Sequence, residues 1–89
     1  MRLVFQRQAW EDVSWFAIHD RTLFKRLSRV IEDALRDPYD GIRKPERLVG
    51  DLSGWWSRRI TDEHRLVYRV ETSIDSGELL VVAQARYHY

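Results

Sequence analysis

LSGWWSRRITDEHRLVYRV, residues Leu52–Val70, decides how the rest of the chain is read. Two tryptophans, three arginines and a histidine crowd the interval between Gly54 and Tyr68: Trp55, Trp56, Arg58, Arg59, His64 and Arg65. The polar turn Thr61-Asp62-Glu63 divides the stretch into two β-rich halves, which predicts a hairpin with a longer loop. Arginine forks bind phosphate oxygens in bidentate geometry and aromatic faces stack on bases, so a hairpin with both is a platform for nucleic acid. The competing reading is a small tryptophan core with a solvated arginine face, and for a hairpin taken alone it is the better one. The closing Arg86-Tyr87-His88-Tyr89 shifts the balance, because it sets a titratable histidine between two tyrosines on the last strand.

The chain of 89 residues has room for one domain, 1–89, and its 44% hydrophobic content suffices for a core without a metal or disulfide staple. It has no cysteine, which excludes disulfides and thiolate–zinc sites and fits a reducing cytoplasm. The apolar run Leu3-Val4-Phe5 is too short for a signal peptide or a membrane span, so a soluble cytoplasmic protein is expected. The net charge is only +1, so the distribution matters more. Acidic residues are common from Glu11 to Asp51, whereas Arg58, Arg59, Arg65, Arg69 and Arg86 gather later. A local basic face on a nearly neutral protein suits an anionic partner met at one surface.

Arg2–Gln6 reads as a first strand. Gln8–Ala17 carries Trp10, Val13 and Phe16 at helical intervals, and His19-Asp20 interrupts it. Asp20 is a good N-cap for a second helix, whose apolar stripe is Leu23, Leu27, Val30, Ile31, Ala34 and Leu35. Glu32 and Arg36 stand at a favourable i,i+4 spacing, and Pro38 ends the helix. Tyr39–Glu46 is a loop and Arg47–Val49 a short strand. Gly54–Ile60, His64–Thr72 and Glu78–Tyr87 are three further strands. Leu66, Tyr68 and Val70 share one face, with Arg65, Val67 and Arg69 on the other. Leu79, Val81, Ala83 and Ala85 are expected on the core side of the last strand, which should be central because Leu80 and Val82 are apolar too. The order is β-α-α-β-β-β-β, an α+β fold. Both helices pack on one face of a mainly antiparallel twisted sheet, leaving the arginines on an open face.

Three segments, KPERL (Lys44–Leu48), LSGWWSRRITDEHRLVYRV (Leu52–Val70) and ARYHY (Ala85–Tyr89), closely resemble the YoeB (Txe) toxins of bacterial toxin–antitoxin pairs. These belong to the wider RelE-like group of messenger-RNA interferases. The similarity runs almost end to end, taking in the AWED start and the RDPYDG that follows the long helix. It implies a compact RelE-like fold and a ribosome-dependent endoribonuclease that cuts messenger RNA in the decoding site. It also implies a cognate YefM-like antitoxin that inhibits the toxin and, together with it, binds operator DNA. It leaves a homodimer open and calls for no cofactor and no membrane.

RNA carries its own nucleophile, the 2′-hydroxyl beside the scissile phosphate. A metal-free enzyme needs a base for that hydroxyl, cations for the phosphorane-like charge, and an acid for the leaving 5′-oxygen. By resemblance, Glu46 is the base, Arg65 the phosphate-stabilising arginine, His88 the acid and Tyr89 a positioning residue. Arg59, Lys44, Arg47 and Arg86 are expected to contact phosphate or RNA. Taken singly, Glu46 is a solvated loop carboxylate, Arg65 a partner for Asp62 or Glu63, and His88 an inert chain end; only jointly do they read as a site. Trp10, Trp55 and Trp56 are read as core or antitoxin-facing, and His19 and His64 as structural. No histidine–carboxylate spacing suggests a metal. Val49 stands where several YoeB sequences have a lysine, leaving one phosphate contact either missing or supplied by Arg47. The turn at Ser73–Glu78 looks longer than usual for the family. The rival readings are a ParE-like topoisomerase inhibitor of the same fold and a non-catalytic RNA-binding module.

Overall fold

The computed structural model describes residues 1–87. Along the chain run β1 (Arg2–Phe5), α1 (Arg7–His19), α2 (Arg21–Arg36), β2 (Glu46–Arg47), β3 (Trp56–Arg59), β4 (Arg65–Ser73) and β5 (Gly77–Gln84), with a 3-10 turn at Gly50–Leu52. The sheet order is β1-β5-β4-β3-β2. Only β1 is parallel to its neighbour, β5; the other pairs are antiparallel. This is the expected α+β arrangement; β5 is an interior strand between β1 and β4, and the central strand is β4.

Both helices bury an apolar stripe against one face of the sheet. Phe16 of α1 and Leu27, Val30, Ile31 and Ala34 of α2 meet Leu66, Tyr68, Leu80 and Val82. Each Phe, Leu, Ile or Val side chain among them removed from water stabilises the fold by about 1.5–3 kcal/mol. Asp20 separates the helices and caps α2, accepting the Leu23 backbone N–H at 3.1 Å. His19 does not interrupt α1; it is its last residue. Arg36 pairs with Asp33 at 3.1 Å rather than with Glu32.

The core side of β5 is Leu80 and Val82, the reverse of the expected parity. Val67 pairs with Gln84 while Tyr68 pairs with Val82, so Ala83 is an unpaired extra residue, a β-bulge. The bulge flips the alternation and returns Ala85 to the core. A run of apolar residues on both parities cannot announce such a slip. The strand also ends at Gln84 rather than Tyr87.

Arg58 departs furthest from expectation. Its strand position opposite Leu66 puts it on the helix side, not on the basic outer face, and it is fully buried. All five of its N–H groups donate. Nε reaches the Tyr68 hydroxyl at 2.9 Å, and Nη1 reaches Asp33 Oδ2 at 2.6 Å and the Ile42 carbonyl at 3.2 Å. Nη2 reaches the carbonyls of Asp37 at 2.5 Å and Asp40 at 3.2 Å. Tyr68 then donates to the Pro38 carbonyl at 2.7 Å. Arg58 thus fastens the loop after α2 to the sheet. Gly41, at φ +135°, is required there, since a Cβ would lie 2.0 Å from Asp33 Oδ2.

The Arg58 guanidinium, with the Ile42 N–H and Arg36, holds the Asp33 carboxyl below the usual range. Burial raises the Tyr68 phenol above its ordinary value despite the Arg58 donor.

Candidate active site

The outer face of the sheet is assembled by pairing. Glu46 stands opposite Ser57, Ser57 opposite Val67, and Val67 opposite Gln84, forming one cross-strand row. Arg59 and Arg65 face each other two residues further along β3 and β4, about 7 Å away along the strands. Arg69, opposite Val81, lies on the other side of that row. The face is not open throughout, as the alternation alone implies. Its centre, Ser57, Val67 and Val81, is buried.

Two like charges directly across a strand pair are destabilising unless something offsets them. The Arg59 guanidinium has a weak contact with Asp62 at 3.7 Å. Among the described residues Arg65 Nη1 is buried with no hydrogen-bond partner, and so is Ser57 Oγ in the neighbouring row. A buried donor left unmade costs about 1–3 kcal/mol, more when charged. A donor set of this kind is able to receive an anion.

Glu46 is exposed and belongs to β2 rather than to the loop before it. That loop is strained: Arg43 (φ 64°) and Lys44 (φ 52°) both adopt left-handed backbone immediately before Pro45-Glu46. Such residues cost on the order of 1–3 kcal/mol each and persist only where surroundings over-determine them. The surroundings here are the end of β3. The Arg43 carbonyl accepts the Arg59 N–H at 2.9 Å. The Arg43 side chain donates to the carbonyls of Arg59 at 3.0 Å and Ile60 at 2.6 Å. Glu46 is thereby set against β3 by residues that also fix Arg59.

The remaining candidates divide. Lys44 is exposed on the strained loop. Arg47 faces the opposite way from Glu46, with its guanidinium 5.7 Å from the Trp56 ring. Arg86 is not brought to the Arg59–Arg65 row; its guanidinium rests 3.6 Å from the centre of the Trp15 ring on α1. His88 and Tyr89 lie outside the described residues. The chain leading to them is held at three places. Asp12 Oδ2 accepts the backbone N–H of Ala85 at 2.9 Å and of Arg86 at 3.2 Å. His64 Nδ1 accepts the Tyr87 N–H at 2.8 Å, and the Tyr87 carbonyl accepts the Arg65 N–H at 3.2 Å. Tyr87 itself is left-handed at φ 66°. The tail therefore leaves the described structure beside Arg65.

Sequence reasoning missed Asp12, Arg43 and the clamping role of His64. Asp12 could have been found. It shares a helix face with Ala9 and Phe16, all three buried, and a carboxylate on a buried stripe demands donors. Arg43 and His64 carried no such signal, because their partners are backbone groups distant in sequence.

The model of the YoeB-like toxins of bacterial type II toxin–antitoxin systems matches residues 5–89. Toxin YoeB of Streptomyces coelicolor is 52% identical over 89 residues, spanning the whole of both chains. The solved YoeB/ParE toxin from Agrobacterium tumefaciens is 44% identical, with a TM-score of 0.93 and complete coverage of both chains, 100% each. YoeB of Staphylococcus aureus, 36% identical, superimposes as a dimer at a TM-score of 0.86 and within a YoeB–YefM heterotetramer at 0.85, covering 100% of this chain and 98% of that one. With a family model spanning nearly its full length and relatives this similar, the chain belongs to the YoeB-like toxins of bacterial type II toxin–antitoxin systems.

Proposed function

We propose that this toxin is an endoribonuclease that cuts messenger RNA on the ribosome, with RNA bound across the outer face of the sheet. The observation that carries the reading is the opposed pair Arg59 and Arg65, with Arg65 Nη1 buried and unpartnered among the described residues, in the row next to Glu46. A phosphate placed there would offset the repulsion and accept the orphan N–H. Glu46 would take the proton of the 2′-hydroxyl as its oxygen bonds to phosphorus. The phosphorus–O5′ bond breaks, and His88 returns a proton to the leaving oxygen. The products are a 2′,3′-cyclic phosphate and a 5′-hydroxyl, with protons and bonds balanced. Arg59 and Arg65 hold the charge that grows on the phosphoryl oxygens. Tyr89 positions the substrate, and Lys44 contributes cationic attraction from the loop. Arg47 and Arg86 would meet RNA only beyond the scissile phosphate, since their guanidinium groups rest on Trp56 and Trp15.

The natural inhibitor, on this reading, is a YefM-type antitoxin, as in the Staphylococcus aureus complex, and a toxin dimer is compatible with its relative's. Among the described residues no helix is long and apolar enough to cross a membrane, and the proposed place of action is the cytoplasm.

The test is primer extension on a messenger translated in a purified system. New 5′ ends inside codons that disappear with Arg65→Ala support the reading. Intact messenger with arrested DNA replication would instead favour topoisomerase inhibition, and RNA retention without new ends would favour a binding module.

A further inference from the structure

The third arginine of the outer face is built differently from the other two. Arg69 pairs with Glu71, and both oxygen contacts, from Nε and Nη2 to Oε2, are 2.5 Å. Its guanidinium carbon lies 4.4 Å from the centre of the Trp55 ring. The carboxylate neutralises the charge and the indole backs the group, so Arg69 is held in place and poorly suited to grip a phosphate. It is also not hidden, because the Arg69 and Glu71 side chains keep 40% and 39% of their exposure. A fixed guanidinium plane over an indole is a stacking surface for a planar ring.

Its place on the sheet says which ring. The Trp55 carbonyl accepts the Leu48 N–H at 3.0 Å, continuing the β2–β3 pairing two residues beyond the Glu46–Ser57 row. Trp55, just before β3, and Arg59, its last residue, therefore flank Ser57 at equal sequence distance on the same side of the sheet. Each is displaced about 7 Å from the Glu46 row. A strand of RNA with its phosphate at Arg59 and Arg65 and its 2′-hydroxyl at Glu46 passes Trp55 and Arg69 with the adjoining nucleotide.

We infer that Trp55, Arg69 and Glu71 form a nucleobase-stacking subsite for the nucleotide next to the cleaved bond. This rests on the proposed RNA-binding function. It assigns Trp55 a role other than packing, and it divides the arginines of the face into two that meet phosphate and one that meets a base.

The test is a double-mutant cycle on the full-length protein. The probes are RNA hexamers with a 2′-deoxy sugar at the cleavage position, so that they bind without being cut. One is intact, and in the others a single base is deleted at successive positions. Trp55→Ala is expected to weaken binding of the intact hexamer by about 5- to 150-fold, the range carried by base–aromatic stacking. On the hexamer lacking the stacked base, wild type and Trp55→Ala should bind alike. Trp55→Phe, which keeps a stacking ring, should restore binding, and wild-type tryptophan fluorescence should be quenched only by hexamers that retain that base. Should Trp55→Ala fail to fold, Arg69→Met replaces it, removing the guanidinium plane while keeping a stem on the indole. Equal losses on intact and base-deleted hexamers, or wild-type affinity in these variants while Arg65→Ala loses binding, would overturn the subsite alone. Absence of binding by the wild-type protein to every hexamer would overturn the RNA reading with it.

Discussion

His64 Nδ1 accepts the backbone N–H of Tyr87 at 2.8 Å, across 23 positions of sequence. The bond requires a lone pair on Nδ1, so the imidazole that makes it carries its proton on Nε2. The ring is buried, edge-on to Phe16 at 5.1 Å between centroids. A histidine chosen for packing alone would not need that nitrogen; here it fixes the residue before His88.

The first prediction follows from that bond. His64→Leu keeps the volume and removes the acceptor, whereas His64→Asn places a carbonyl oxygen near the old Nδ1. Amide exchange at Tyr87 should be fast in the leucine variant and protected in the asparagine one. If the tail carries the acid, misplacing it by an ångström costs on the order of 10²-fold in cleavage. Asparagine should recover most of that loss. Unchanged Tyr87 protection in His64→Leu would show that Asp12 and the Arg65 N–H hold the tail without it.

A second prediction concerns Arg58. Arg58→Leu takes the buried guanidinium away from Asp33 and from three loop carbonyls. Breaking a buried pair by removing one partner costs about 3–5 kcal/mol. At about 4–8 °C per kcal/mol for a chain of this size, the melting temperature should fall by tens of degrees. Lysine should not rescue it, because one ammonium cannot reach five acceptors spread around a planar fork. A melting temperature within a few degrees of wild type would refute this role.

The same pair sets a pH dependence. Asp33 has a carboxyl pKa lowered from the usual 3.8, first by its Arg58 hydrogen bond. The folded form therefore binds fewer protons than the unfolded chain in the acid range. The stabilisation is fully present above the unfolded value and is lost as pH falls through the folded one. Urea melts from neutral pH to below 3.8 should show this acid limb, and Asp33→Asn should flatten it while lowering stability at neutral pH. An identical acid limb in Asp33→Asn would assign it to other carboxylates.

These pairings also explain what could be read in the sequence. Helix α2 was legible because Leu27, Val30, Ile31 and Ala34 repeat at helical spacing behind a capping Asp20. The strands β3, β4 and β5 were legible through turn residues and alternation. Arg58 was not, because alternation tells that it opposes Arg59 but not which of the two meets the helices. That choice belongs to Asp33 and the carbonyls at residues 37, 40 and 42, a set no local pattern links. Glu46 was singled out only by resemblance. Its placement depends on two left-handed residues, Arg43 and Lys44, neither of them a glycine that would mark the bend.

The last prediction tests Glu46 as the base. Glu46→Gln preserves size and the strand contact with Ser57, since β2 pairs through its backbone. The strained loop should persist as well, because Arg43 rather than Glu46 ties it to β3. The variant should therefore melt like wild type and bind a YefM-type antitoxin with similar affinity. What it loses is a group able to take the 2′-hydroxyl proton, a contribution on the order of 10²–10⁴-fold. Single-turnover cleavage on programmed ribosomes measures it, at saturating toxin so that binding does not enter. A rate within a few-fold of wild type would remove Glu46 from the chemistry. The proton would then have to go to a group on the tail, and Arg59 and Arg65 would remain as the phosphate site without it.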